Sequence, residues 1–116
     1  MTGTGIDLDG RVAVVTGGAR GIGRGCVHAL AERGLDIVIV DLLRPELERT
    51  KAEVEAMGRA AMIEEADVAD HARAAEIAAA VKARFGRCDV LVNNAGRGNP
   101  TGILEITEEA FDRTIA

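Results

Sequence analysis

The chain contains no tryptophan, no tyrosine and no serine, and its only aromatic residues are Phe85 and Phe111. Any core it builds must therefore be aliphatic. The 47% of residues that are apolar are enough to build one over 116 residues, the size of a single domain. Cysteine is scarce too. Cys26 and Cys88 form no CxxC pair and have no histidine at metal-ligand spacing, so the sequence predicts reduced, inert thiols and no metal site. No apolar run approaches the ~20 residues of a membrane span. The first ten residues are polar and carry Asp7 and Asp9, unlike a secretory signal. Net charge is −5 with the two signs interspersed, which argues against a nucleic-acid face. The expected setting is the cytoplasm, with neither membrane nor nucleic acid as partner.

What is present is an alternation of two periodicities. Arg11–Thr16 reads as a buried strand. Ile22–Arg33 reads as a helix burying Ile22, Cys26, Ala29 and Leu30, with Gly34 at its end. Asp36–Val40 is a β-branched run, a second buried strand. A helix then starts with Pro45 at its first position, lines Leu47, Val54 and Met57 along one face and stops at Gly58. Ala60–Glu65 is a weaker strand. Asp70 can cap a helix whose Ala74, Ile77, Ala78, Val81 and Phe85 share a face as far as Gly86. Val90–Val92 is a fourth strand. Gly96–Gly102 is a loop, and Thr107 starts a last helix with Ile106 and Phe111 placed as a hydrophobic staple. This alternation predicts an α/β fold, a doubly wound parallel sheet of about four strands with helices on both faces.

The chemistry concentrates in Thr16-Gly17-Gly18-Ala19-Arg20-Gly21-Ile22-Gly23, between the first strand and the first helix. Glycines there let backbone approach a phosphate, and the helix start aims free N–H groups and its positive dipole end at the anion. Asp41 ends the next strand, about 20 residues on, where a dinucleotide-binding unit places its ribose ligand. A carboxylate there repels a 2′-phosphate and favours NAD over NADP. Arg20 and Arg44, either of which could meet a phosphate, argue the other way.

Thr-Gly-x-x-x-Gly-x-Gly resembles the short-chain dehydrogenase/reductase family, whose fold is of the Rossmann type. Leu8–Thr16, Asp67-Val68 and Asn93-Asn94-Ala95-Gly96 carry the likeness further. The resemblance implies a pyrophosphate held by the turn Gly17 to Gly23, with Arg20, Gly21 and Ile22 nearest, and an adenosine ribose on Asp41. It implies that Asp67 accepts from the adenine amino group while the Val68 backbone reads the ring edge. Asp67 can equally serve the turn before the third helix. Asn94, Ala95 and Gly96 would line the adenosine end, and Asn93 would either tie strands together or touch cofactor. His28 and His71 match no family position and read as solvated helix residues.

The family's acid/base machinery is an Asn-Ser-Tyr-Lys set. With no Ser, no Tyr, and lysines only at Lys51 and Lys82, none of it can be assembled here. The expected reading is a single incomplete domain, residues 1–116: the cofactor-binding half of an NAD(P)-dependent oxidoreductase acting on a carbonyl/alcohol pair such as a 3-oxoacyl thioester, sugar or steroid. The resemblance implies a homo-oligomer for the complete protein. The alternative is a nucleotide-binding fragment that acts only with a missing half or partner. In such a fragment the fourth strand would expose an apolar edge.

Overall fold

A computed structural model of the chain describes residues 8–67 and 69–94. Seven elements follow one another: β1 (Val12–Thr16), α1 (Gly21–Glu32), β2 (Asp36–Asp41), α2 (Arg44–Ala56), β3 (Ala61–Glu65), α3 (His71–Phe85) and β4 (Val90–Asn93). The strands form one parallel sheet in the order β3-β2-β1-β4. This is the doubly wound parallel α/β arrangement of four strands expected from the alternation. Among the described residues, no helix is long and apolar enough to cross a membrane. The Gly96–Gly102 loop and the helix from Thr107 lie outside the described residues.

The sheet divides the core in two. Ala13, Val15, Ile37, Ile39 and Ala61 face Val27 and Ala31 of α1 and Leu47 and Val54 of α2. Val12, Val14, Val38, Val40 and Met62 face Ile77 and Val81 of α3. Successive strand residues point to opposite faces, so β1 and β2, covered on both sides, must be apolar at every position. All of Val12–Val15 and Ile37–Val40 are buried. Burying each such Val or Ile side chain is worth about 1.5–3 kcal/mol, which lets the sheet dispense with aromatics. β3 and β4 flank this centre and are less covered, and every residue of β4 is half-buried.

Helix faces differ from the sequence expectation in detail. On α1 the residues in deepest are Gly23, Val27 and Ala31. Cys26 and Leu30 pack at the margin, Ala29 is exposed, and Ile22 is 79% exposed. The face is turned by about one residue because the glycine at 23, not the isoleucine at 22, lies against β1. On α2, Thr50 takes the buried place expected of Met57, which sits exposed at the helix end. α2 also starts at Arg44, one residue before Pro45. On α3 Ala74 is exposed, and the predicted Asp70 cap forms: its carboxylate accepts from the Arg73 N–H at 3.1 Å.

Two carboxylates fasten the N-terminal edge of the sheet. Asp36 accepts from the Ala60 N–H at 3.0 Å and pairs with Arg59. Asp89 accepts from the Val12 N–H at 2.9 Å, and Arg87 grips it through Nε at 2.7 Å and Nη2 at 2.8 Å. The Arg87 guanidinium holds the Asp89 carboxyl below its ordinary range. A third carboxylate joins α1 to α2. Glu53 accepts from Arg24 through both oxygens and lies 2.8 Å from His28 Nε2. His28 is therefore no solvated helix residue but part of a three-member contact.

Two predictions follow from this packing. Among the described residues, the buried Thr50 hydroxyl has no hydrogen-bond partner. Thr50→Val keeps the shape and the helix propensity while removing that polar atom, and should raise unfolding stability by about 1 kcal/mol. An unchanged or lower urea midpoint would count against it. Hydrogen bonding from Arg24, then from His28, holds the Glu53 carboxyl down from 4.5 to about 2. A carboxyl depressed on folding contributes stability at pH above its unfolded value and loses it as pH falls toward the folded one. Glu53→Gln should therefore flatten the acid limb of a stability–pH curve between 4.5 and about 2; identical limbs would refute the assignment.

Candidate functional site

The C-terminal ends of β2, β1 and β4 lie side by side, with β1 in the middle. From β1 the chain passes to β2 on one side, and β4 pairs on the other. In open α/β sheets the crevice beyond such a reversal is where ligands bind. The turn after β1 runs along its rim.

That turn is pinned by close backbone packing. The Gly17 N–H donates to the Val40 carbonyl at 2.7 Å, and Gly17 and Gly21 adopt φ of +65° and +55°. A Cβ on Gly23 would stand 2.0 Å from the Gly17 carbonyl oxygen and 2.7 Å from Asn94 Nδ2, so only glycine lets α1 start here. Among the described residues, a Cβ on Gly21 would meet nothing within 4 Å. α1 has no side-chain cap on its first turn and no acidic residue in it, whereas α3 carries its Asp70 cap. The orphan N–H groups of α1 suit an oxyanion.

Beside the turn, Asp41 is only 6% exposed although charged. Its Oδ2 accepts from the Ala19 N–H at 3.1 Å and its Oδ1 from the Leu42 N–H at 2.7 Å. Arg20, 59% exposed, reaches to 3.7 Å from Oδ1. Of the two cations weighed for a 2′-phosphate, only Arg20 stands at Asp41. Arg44 is drawn instead to Glu65 at 3.2 Å and Glu48 at 3.9 Å. Ile22, Leu42 and Leu43 leave apolar side chains exposed around this corner.

On the other side, the Thr16 hydroxyl donates to Asn93 Oδ1 at 2.9 Å and accepts from the Asn94 N–H at 3.0 Å. Asn93 thus ties β4 to β1, one of its two expected roles. Asn94 reaches the Gly17 carbonyl through Nδ2 at 3.4 Å. Gly17, Arg20, Gly21, Gly23, Asp41 and Asn94 are gathered at one end of the sheet. Asp67 is exposed and its Oδ1 accepts from the Ala69 N–H at 2.9 Å, shaping the turn into α3. Val68, Ala95 and Gly96 lie outside the described residues. Within the run Thr16 to Gly23, two roles come from the fold: Thr16 knots the strand ends and Ala19 supplies an N–H to Asp41. A threonine ending a strand just before glycine is a usable signal for the first; a backbone donor leaves none for the second.

These residues fit a dinucleotide: a backbone cradle closed to any Cβ at Gly23, uncapped helix N–H groups and a buried carboxylate with accepting capacity left. Known proteins agree with the fold. Residues 11–116 match the short chain dehydrogenase family. The chain is 39% identical to a sorbitol dehydrogenase of Cereibacter sphaeroides, covering 94% of this chain and 41% of that protein. It thus spans well under half the length of such relatives. It superposes on a metagenomic short-chain oxidoreductase solved with NADP at a TM-score of 0.75 and 35% identity, covering 95% of this chain and 50% of the other. An NAD+-bound xylitol dehydrogenase gives a TM-score of 0.76 at 26% identity, covering 95% and 46%. The glycine turn, the sheet order and this match over nearly the whole sequence agree: the chain belongs to the short-chain dehydrogenase family.

Proposed function

We propose that this chain is the cofactor-binding portion of an NAD(P)-dependent oxidoreductase that moves hydride between a nicotinamide cofactor and a carbonyl/alcohol pair, and that it prefers NAD. The observation that carries the reading is the buried Asp41 carboxylate beside the uncapped start of α1. The turn Gly17 to Gly23 holds the pyrophosphate, with Arg20, Gly21 and Ile22 nearest. Asp41 accepts from the adenosine ribose hydroxyls. Its negative charge, set among few neutralising groups, opposes a 2′-phosphate. Asp67, with Val68, reads adenine, and Asn94, Ala95 and Gly96 border the adenosine. The exposed Ile22 shields the pyrophosphate from water. When bound, the cofactor supplies the hydride chemistry, and these residues only bind and orient it.

The composition favours a second reading of the 116 residues taken alone. Having no Ser and no Tyr, they contain no family acid/base set, and on this reading they bind nucleotide without turning it over.

Calorimetric titration tests both readings. NAD should bind about tenfold or more tightly than NADP, the scale of a like-charge contact in a partly solvated site. Absence of heat with either nucleotide would sink the binding claim, and tighter NADP would overturn the preference. Gly23→Ala, whose new carbon must push the Gly17 carbonyl aside, should weaken NAD by about tenfold or more, as backbone strain of ~1–3 kcal/mol requires. An unaltered affinity would remove the cradle from the site. Turnover of any carbonyl substrate by the 116-residue chain would exclude the second reading.

A further inference from the structure

We propose that Asp41 is also a positioning residue for the glycine turn: its carboxylate clasps the middle of the turn through the Ala19 N–H and so sets the shape of the pyrophosphate cradle before any ribose arrives. The proposal builds on the dinucleotide reading and assigns Asp41 a role that its place at the ribose does not require.

Three observations carry it. First, the carboxylate is buried, and burying a charge is unfavourable unless it is hydrogen-bonded. Its closest donors are backbone groups, the Ala19 N–H of the turn at 3.1 Å and the neighbouring Leu42 N–H at 2.7 Å. Charge-assisted bonds of this kind are the stronger sort. Second, the turn is held near its start by Gly17 N–H on the Val40 carbonyl at 2.7 Å. At its far end Gly23 comes so close to the Gly17 carbonyl that a Cβ would stand 2.0 Å from the oxygen. Ala19 lies between these anchors, buried in the core cluster, with its N–H on Asp41. Third, an ionised carboxylate offers about four acceptor sites. Two are used by backbone donors, and the others remain for hydroxyls. One group can therefore hold the turn and the ribose together, so the pyrophosphate and ribose halves of the site share an anchor. Arg20, next in the chain, stands 3.7 Å from Oδ1, the oxygen that does not take the Ala19 N–H.

The two roles separate with a ligand that has no ribose hydroxyls. The full 116-residue chain and its Asp41→Ala and Asp41→Asn variants would be titrated with NAD and with 2′,3′-dideoxyadenosine 5′-diphosphate. Amide hydrogen exchange would be followed at Ala19, with Val14 and Val38 as core controls. Asp41→Ala should weaken the dideoxy ligand by about tenfold and speed exchange at Ala19 by about tenfold or more, as loss of a hydrogen bond to a charged group predicts. Exchange at Val14 and Val38 should slow or quicken far less than at Ala19. Asp41→Asn, which keeps an acceptor oxygen and the side-chain shape, should recover part of both losses. If the dideoxy ligand and the Ala19 amide are indifferent to Asp41→Ala while NAD binding falls, Asp41 acts at the ribose alone and the clasp is overturned. If the wild-type chain binds neither ligand, the dinucleotide reading falls; Ala19 exchange, measured without ligand, still decides the clasp.

Discussion

The first turn of α1 lies so close to the Gly17 carbonyl that no side-chain carbon fits between them. The rest of the site depends on that approach. It brings the uncapped N–H groups of the helix to the end of β1, where the sheet order reverses. It also rotates α1 so that Gly23, Val27 and Ala31 face the sheet and Ile22 faces outward. A helix packed one residue differently would bury Ile22 and leave less room for backbone near an anion. Packing and function thus rest on the same missing Cβ.

The aliphatic core makes this geometry possible. Val and Ile on both faces of β1 and β2 fill the core with stiff side chains that have few rotamers to order. Small residues fill buried positions on the helices, Ala31 on α1 and Ala78 on α3. Phe85, at the end of α3, packs a ring against the margin of that core.

Charge is distributed by end. At the N-terminal edge of the sheet, Asp36 and Asp89 each take a backbone N–H and a close arginine, and their capacity is committed to structure. At the C-terminal edge, Asp41 takes backbone N–H groups too, but its arginine stands off at 3.7 Å and is largely exposed. Similar chemistry closes one end of the sheet and leaves the other able to accept a ligand.

Much of the fold was legible because it is local. Strands two-sidedly apolar, an acid at Asp70 before a helix and glycines after helix ends each act within a few residues, and all seven described elements follow from them within a residue or two. The candidate site was legible as a list of residues, since Gly17 to Gly23 and Asp41 keep the spacing a nucleotide unit requires. The sequence by itself determined that α/β alternation and the backbone freedom of the turn. Tertiary structure alone decided which face of α1 is buried, that Arg44 turns to Glu65 while Arg20 turns to Asp41, that His28 meets Glu53, and that Thr16 knots β1 to Asn93. Those outcomes join residues far apart in the chain, some through backbone groups that every residue carries. Only the packed sheet brings them within hydrogen-bonding reach.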